Sequence, residues 1–279
     1  MNKTYHFLAG LPRSGNTLLS AILNQNPNIY TSPLSPLPDL MWHHSKSLEY
    51  LDSVQRNQDN KNRGERLLSY FSNNFYEDIE KPVIIDRQKD WGMPENLNLI
   101  KKYITNEPKI IITVRDILEI LASFIGLNSD LLKSDVIANN AFNNMYRSNE
   151  DCICEYLMQG GSVIDRGLVS VASAVNPNNK GNFHIVEYTN LVLNPKETMS
   201  GIYKFLELPD YDHDFNNIVK LEVDNDIKMG YPENFHTIRN SLSMPSTSVD
   251  VLSDYIKHKY SNMEFWRDGY SMKVKGRDF

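Results

Sequence analysis

The sequence predicts an α/β fold in which a central parallel sheet is flanked by helices on both faces. Short apolar runs near Phe7, Val83, Ile110 and Ile185 have the length of strands, and segments of helical periodicity lie between them. Strands that alternate with helices indicate a parallel sheet, because each parallel connection needs a crossover element. Residues 109–114 are apolar on both faces, as a buried central strand should be.

The first strand is followed by a tight loop and a helix. Residues 7–9 are apolar, Gly10 and Gly15 bound the loop, and the helix has apolar residues at Leu18, Leu19, Ile22 and Leu23. The loop residues are small or polar, so their backbone N–H groups can surround an anion at the helix N-terminus. We therefore predict that residues 10–18, the cradle, hold a phosphate; the alternative is a turn that binds nothing.

The cradle nearly matches the P-loop of nucleotide triphosphatases. Gly10, Gly15 and Thr17 fit that pattern, but Asn16 stands at the lysine position and Arg13 adds a cation inside the loop. Without the lysine, the β- and γ-phosphates of a triphosphate lose their usual partner. The sheet is therefore predicted to be P-loop-like, with a cradle for a 5′-phosphate that need not act with Mg²⁺.

The next part of the chain is predicted to be an extended, proline-rich path over residues 31–39 and then two helices. Helical spacing of apolar residues places these helices at residues 40–54 and 65–79, with a polar connection at residues 56–63. The proline-rich path could form a wall of the phosphate site.

A buried strand at residues 83–85 ends in Asp86. A strand of this kind is also typical of a Walker B motif, so Asp86 could hold Mg²⁺ if the protein were a kinase. Lys89 follows at the carboxyl end of the strand, where open α/β sheets bind their ligands. Lys89 could then reach the cradle, or it could simply be solvated.

The strand at residues 109–114 leads into a second candidate anion site. Asp116 and Glu119 form a predicted capping box for a helix over residues 117–125. Ser123 lies almost two turns below the cap, and Arg115 can fold back along the same face. Together they could hold a second phosphate; alternatively, Arg115 pairs with a carboxylate and Ser123 fills a small-residue contact.

The remainder is predicted to be mostly helical, with one further strand at residues 183–188 and a less regular tail from Asp210. Helices are expected over 97–104, 130–158 and 162–175, from Pro195 to Leu206, and over 249–260, with a loop at 229–248.

Composition limits the classes of function. The 279 residues, 41% of them hydrophobic, can form a single domain spanning residues 1–279. A net charge of −6 argues against a general nucleic-acid or membrane-surface protein. Cys152 and Cys154 are too close on one helix to bridge and are expected to be packing residues, and no metal site is recognisable. We expect a soluble protein of the cytoplasm without a membrane span.

These motifs, in this order, resemble the sulfotransferases, especially the branch that includes the tyrosylprotein sulfotransferases. LPRSGNTLL resembles the 5′-phosphosulfate loop of the family, and Arg115 with Ser123 eight residues later resembles its 3′-phosphate signature. The resemblance implies cofactor contacts from these residues and from the loop residues Arg13, Ser14, Gly15, Asn16, Thr17 and Leu18.

Two further segments support the resemblance. EYTNLVLNPKETMSGIYKFLELP is similar to the family's Tyr-acidic-Leu segment, which implies that Tyr188 helps to hold the 3′-phosphate. QKDW resembles the lysine-bearing segment, which implies that Lys89 contacts the sulfuryl group beside Arg13. A third phosphate contact from the C-terminal part is also implied, and Arg239 is the candidate.

The catalytic base is the main departure. The tyrosylprotein branch has a glutamate shortly after the first helix, but here the corresponding stretch is TSPLSPL. Asp39, His43 and His44 are candidates by position only. The membrane anchor of that branch has no counterpart either, which weakens the transfer of its protein substrate.

The resemblance implies transfer of a sulfuryl group from 3′-phosphoadenosine 5′-phosphosulfate (PAPS, product PAP) to a hydroxyl or amine of a small-molecule or peptide acceptor, without a metal. Arg13, Lys89 and the loop N–H groups would stabilise the charge on the leaving group. Two alternatives remain open: a small-molecule kinase that uses Asp86, and a protein that binds PAPS without transferring its sulfuryl group.

Overall fold

A computed structural model describes residues 3–127, 148–220, 228, 237–243 and 248–267, together with the backbone of residues 273–274 and 277–278. The strands are β1 (Thr4–Gly10), β2 (Ile29–Leu34), β3 (Val83–Arg87), β4 (Ile110–Val114), β5 (Phe183–Glu187), β6 (Lys273–Val274) and β7 (Arg277–Asp278). The α-helices are α1 (Asn16–Leu23), α2 (Leu37–Tyr50), α3 (Asp52–Gln55), α4 (Gln58–Phe75), α5 (Pro94–Tyr103), α6 (Ile117–Gly126), α7 (Asn149–Met158), α8 (Val163–Val175), α9 (Tyr188–Leu193), α10 (Pro195–Leu206) and α11 (Asp254–Tyr260). Short 3₁₀ helices lie at Lys89–Gly92, Pro177–Asn179 and Val249–Val251.

Five strands form one parallel sheet in the order β2-β3-β1-β4-β5. This confirms the predicted α/β class. The central position of β1 explains the placement of the cradle, because the loop after β1 leaves the middle of the carboxyl edge, where such sheets bind ligands. A separate antiparallel pair, β6 and β7, follows near the C-terminus.

Side-chain alternation divides the core between the two faces of the sheet. Phe7 and Ile112 lie in the larger apolar cluster, with Trp91, whereas Leu8 and Ile111 lie in the smaller one, which is covered by α1 and α10. Successive residues of a strand point to opposite faces, so strands buried on both sides are continuously apolar.

The extended path predicted at residues 31–39 is a strand at its start and a helix at its end. β2 pairs with β3 as an edge strand, and its register shifts between Thr31 and Leu34, around Pro33. A proline is tolerated at such a position because an edge strand need not donate every N–H group. α2 then begins at Leu37, immediately after Pro36.

The polar connection predicted at residues 56–63 is wrong. α4 begins at Gln58, because the side chain of Asn57 accepts hydrogen bonds from the N–H groups of Asp59 and Asn60. An asparagine N-cap of this kind stabilises a helix start whose first turn is polar. The predicted helix at residues 40–54 is interrupted near Leu51, where α2 ends and α3 follows.

The other helices largely follow the prediction. α7, α8 and α10 are confirmed, and Cys152 and Cys154 are free and buried on α7, as expected of packing residues. The C-terminal helix is confirmed only for α11, which Ser253 caps. Residues 130–147 of the predicted helix and most of the predicted loop at 229–248 lie outside the described residues. None of the helices described is both long and apolar enough to span a bilayer.

Candidate active site

The cradle has the backbone of a tight anion-binding turn. Gly10 and Gly15 have positive φ angles of 133° and 90°, and Arg13 is left-handed at 57°. A Cβ atom on Gly10 would lie 2.2 Å from the carbonyl oxygen of Thr113, and one on Gly15 would lie 2.7 Å from Cδ2 of Tyr188. Both positions therefore require glycine, for conformation and for space.

The side chains of Ser14 and Asn16 form hydrogen bonds that hold the cradle loop together. The hydroxyl of Ser14 is fully buried, 2.5 Å from the carbonyl oxygen of Leu11 and 2.6 Å from Oγ1 of Thr113. Asn16, at the lysine position of a P-loop, donates from Nδ2 to the same Leu11 carbonyl oxygen at 2.9 Å. The side chains of Ser14 and Asn16 thus fix the shape of the loop.

The two predicted anion sites are joined by hydrogen bonds. Arg115 donates from Nη1 to the main-chain carbonyl oxygen of Arg13 at 3.2 Å, and Arg13 donates from Nε to Oγ of Ser123 at 3.2 Å. The cradle and the start of α6 therefore share one wall, which is built from residues that the sequence placed in two separate motifs.

Tyr188 lies against both parts of this wall. The guanidinium of Arg115 stacks over its ring at 4.8 Å, and the same ring approaches Gly15. Burial raises the pKa of the Tyr188 hydroxyl, while the positive charges of Arg115, Arg239 and Arg13 oppose that rise. Arg239, which donates to Ser243 at 2.7 Å, is thus near enough to act on Tyr188.

Arg115 is oriented by a carboxylate but keeps one donor for a ligand. Its Nε donates to Glu119 at 2.8 Å, within one turn of α6. Its Nη2 is buried and has no hydrogen-bond partner among the described residues. A buried guanidinium donor without a partner is costly, and a phosphate oxygen would satisfy it. The 3′-phosphate role of Arg115 stays a prediction that this unpartnered donor supports.

The structure brings Arg87, rather than Lys89, to the cradle. Arg87 donates from Nη1 to Oγ1 of Thr17 at 2.9 Å. Lys89 pairs instead with Asp90 at 3.4 Å, and Asp90 also pairs with Arg166 on α8. Lys89 forms no hydrogen bond or ion pair with a cradle residue in the described part of the chain. The sequence motifs did not identify Arg87. Strand alternation nevertheless places it on the same face of β3 as Val83 and Ile85, which pack beneath α1.

Asp86 points to the opposite face and is fully buried. Its Oδ1 accepts from the indole of Trp91 at 2.6 Å, and its Oδ2 accepts from Ser35 at 2.7 Å and from the hydroxyl of Tyr76. Burial raises the pKa of Asp86, and these three hydrogen bonds counteract the rise. The carboxylate thus anchors three side chains beneath the sheet and faces away from the cradle, an arrangement unlike that of a Walker B magnesium ligand.

The three candidate bases all lie on α2. Asp39 and His43 are exposed, and His43 packs edge-on against Trp42. His44 bonds through Nε2 to the carbonyl oxygen of Gly64 at 2.9 Å, a contact between α2 and α4. No contact in the described part of the chain connects these three side chains with the cradle. Nor do the described residues include a group of three or more His, Cys, Asp or Glu side chains that could hold a metal ion.

The structure is thus that of an α/β protein with the predicted cradle at the carboxyl edge of its parallel sheet and two arginines joined beside it. The family model for the sulfotransferase domain matches residues 3–265. Since this match spans nearly the whole chain, the protein belongs to the sulfotransferase family. No curated protein matches the chain significantly.

Solved structures agree with the fold. The sulfotransferase domain of the Synechococcus PCC 7002 olefin synthase is 18% identical, with a TM-score of 0.52, and the match covers 89% of this chain and 92% of that one. The sulfotransferase domain from the curacin biosynthetic pathway is 14% identical, with a TM-score of 0.50, and the match covers 93% of this chain and 97% of that one. The predicted family, the sulfotransferases, is confirmed; the comparisons do not single out the tyrosylprotein branch.

Proposed function

We propose that this protein transfers a sulfuryl group from PAPS to a hydroxyl or amine of a small-molecule or peptide acceptor, and that the joined wall of Arg13, Arg115 and Ser123 recognises the two phosphates of the donor. The hydrogen bond between Arg115 and the Arg13 carbonyl is the observation that carries the proposal. It fixes a 3′-phosphate site relative to a 5′-phosphate site, which suits a nucleoside 3′,5′-bisphosphate better than a triphosphate.

The cradle would hold the 5′ end of the donor. Backbone N–H groups from Ser14 to Leu18 begin α1, where the helix dipole favours negative charge. Gly10 and Gly15 give the loop its curvature, and the side chains of Ser14 and Asn16 keep that curvature fixed. Arg13 adds the positive charge.

The wall beside the cradle would hold the 3′-phosphate. Arg115 offers its unpartnered Nη2, Ser123 offers a hydroxyl, and Tyr188 supports the guanidinium from beneath. Arg239 adds a further charge near Tyr188. These four residues would distinguish PAPS and PAP from 5′-AMP and ATP.

PAPS supplies an activated sulfuryl group whose bond to the bridging oxygen breaks as the acceptor bonds to sulfur, leaving PAP with the electron pair. Arg13 and Arg87 would stabilise the negative charge that develops at the bridging oxygen, because preorganised cations and amides act strongly in a site shielded from water. Arg87 takes this role in preference to Lys89 because Arg87 contacts Thr17 of the cradle. The acceptor proton passes to a base that is still to be identified.

A thermal-shift titration of the full chain with PAP, 5′-AMP and ATP with Mg²⁺ tests the proposal. A ligand at 100 times its dissociation constant stabilises a protein by about 2.7 kcal/mol, which is readily measured. PAP should stabilise the protein far more than 5′-AMP at equal concentration. Stabilisation by ATP with Mg²⁺ but not by PAP would contradict the proposal.

A further inference from the structure

A small cleft lies between α1 and β2, next to the cradle. The described residues along it include Thr17, Ser20 and Asn24 from α1, Thr31 from β2, and the cations Arg87 and Lys220. Its volume is about 30 Å³. This is room for about two or three waters, or for the head of a small anion.

The α1 wall of the cleft follows from helical spacing. Thr17, Ser20 and Asn24 lie on one side of the helix, while Leu19 and Ile22 on the other side are buried in the core. Asn24 holds the wall against β2 through two hydrogen bonds to the backbone of Thr31, of 2.9 and 2.8 Å. The cleft is therefore bounded by a fixed helix and a fixed strand.

Two hydroxyls along the cleft are buried and unused. Ser20 is 7% exposed and Thr31 is 2% exposed, yet Oγ of Ser20 and Oγ1 of Thr31 have no hydrogen-bond partner in the described part of the chain. A buried hydroxyl left without a partner is destabilising, because the hydrogen bonds it made to water are lost and not replaced. A polar group bound in the cleft would recover that energy.

The charged residues along the cleft indicate that the bound polar group is an anion. Arg87 and Lys220 line it, and none of its described lining residues is a carboxylate, although the chain as a whole has a net charge of −6. Arg87 also contacts Thr17, so the cleft is continuous with the cradle. Two cations and two hydroxyl donors suit an oxyanion.

We propose that this cleft is an acceptor subsite, and that the acceptor carries a carboxylate, phosphate or sulfate close to the hydroxyl or amine that receives the sulfuryl group. The proposal rests on the proposed function, since it assigns one side of the cradle to the acceptor. Lys220 and the hydroxyls of Ser20 and Thr31 hold the anionic group, and Arg87 lies at the boundary with the transferred sulfuryl group.

The test is a calorimetric titration of inorganic phosphate, and separately of acetate, into the full chain saturated with PAP. PAP occupies the cradle, so binding of a second anion reports on the cleft. We expect Thr31→Val, Ser20→Ala and Lys220→Gln each to weaken anion binding by about fivefold or more, and to leave PAP affinity within about twofold. Stronger binding of phosphate than of acetate identifies a tetrahedral anion, and the reverse identifies a carboxylate.

Matched controls are Thr4→Val at the exposed amino end of β1 and Lys204→Gln on the exposed side of α10, neither of which lines the cleft. Thr31→Val and Ser20→Ala should also leave the ligand-free protein as stable as before or more stable, because each removes an unsatisfied hydroxyl. If PAP binds but neither anion does, or if anion binding survives all three substitutions, the cleft holds water only and the proposal is wrong. Failure to bind PAP at all would instead refute the proposed function.

Discussion

Arg115 holds Arg13 in place: its Nη1 donates a hydrogen bond of 3.2 Å to the main-chain carbonyl oxygen of a residue whose φ is 57°. A left-handed backbone at a residue other than glycine is strained, and such strain persists only where the surroundings fix it. The guanidinium at the proposed 3′-phosphate site therefore also shapes the proposed 5′-phosphate loop. The two proposed phosphate sites are therefore one structural unit.

We predict that Arg115→Ala weakens PAP binding by about 10- to 100-fold, because a charge-assisted hydrogen bond contributes about 1.5–3 kcal/mol. Binding of 5′-AMP, which lacks the 3′-phosphate, should fall by only a few fold, through loosening of the Arg13 carbonyl. Calorimetry with the two nucleotides measures both losses.

Arg115→Lys provides the control for charge. Lysine keeps the positive charge but lacks the planar guanidinium that can bond to the Arg13 carbonyl, to Glu119 and to a phosphate at once. The loss of PAP affinity in Arg115→Lys should therefore lie between that of the unmodified chain and that of Arg115→Ala. Equal losses for PAP and 5′-AMP in Arg115→Ala would remove Arg115 from 3′-phosphate recognition.

Arg87 and Lys89 can be separated by comparing PAPS with PAP, which differ only in the sulfuryl group. We predict that Arg87→Met lowers affinity for PAPS about tenfold more than affinity for PAP, because it removes a cation beside Thr17 while retaining a long apolar stem. Equilibrium binding of both nucleotides, with no acceptor present, is the measurement.

Lys89→Met is the matched variant, and its PAPS-to-PAP affinity ratio should equal that of the unmodified chain, because Lys89 pairs with Asp90. If Lys89→Met changed the PAPS-to-PAP affinity ratio and Arg87→Met did not, Lys89 rather than Arg87 would contact the sulfuryl group, as the lysine-bearing motif implied.

The sequence was most informative where function depends on local geometry. The strand, loop and helix from Thr4 to Leu23 could be predicted because glycine placement and helical spacing act over a few residues. The periodicity of α6 likewise predicted that Ser123 lies on the helix face below the cap, where it accepts a hydrogen bond from Arg13. The hydrogen bond that joins Arg115 to Arg13 spans two strands of the sheet, and no local pattern encodes it.

Which cation is the candidate at the cradle depends on the face of β3 that each side chain occupies. Strand alternation places Arg87 on the face of β3 beneath α1, with Val83 and Ile85, and places Asp86 on the other face beside Trp91. The motif-based assignment chose Lys89, which lies beyond the strand in a 3₁₀ helix where alternation no longer applies. β2 was missed for a different reason, since its edge position tolerates a proline that a central strand would exclude.

Gly15 should not tolerate even the smallest side chain. We predict that Gly15→Ala lowers the free energy of unfolding by about 1–3 kcal/mol and weakens PAP binding at least tenfold, because φ is 90° and the added Cβ would lie 2.7 Å from the ring of Tyr188. Chemical denaturation and PAP titration measure the two effects.

Gly160→Ala is the matched substitution, because among the described residues, apart from the chain neighbours, no atom lies within 4 Å of the position where its Cβ would be. It should leave stability within about 0.5 kcal/mol and PAP binding unchanged. Full PAP affinity in Gly15→Ala would show that the contact with Tyr188 does not shape the cradle.

His6 on β1 makes stability depend on pH. Its side chain is 5% exposed, and neither ring nitrogen has a hydrogen-bond partner among the described residues. Burial, reinforced by the charge of Lys109 and opposed by Glu207, lowers the pKa of His6 from 6.5 to about 4. The unfolded chain therefore binds a proton at this histidine between about pH 6.5 and pH 4, while the folded protein does not.

Because the unfolded state takes up more protons in that window, its free energy falls relative to the folded state as pH decreases. We predict that His6 alone contributes a loss of about 3 kcal/mol in the free energy of unfolding between pH 7 and pH 4. In His6→Leu, which has no titrating nitrogen, the decline over this range should be smaller by that amount. Urea denaturation of both proteins at several pH values isolates the contribution, since His184 and His213 titrate in both, and parallel pH profiles would show that His6 is protonated in the folded protein.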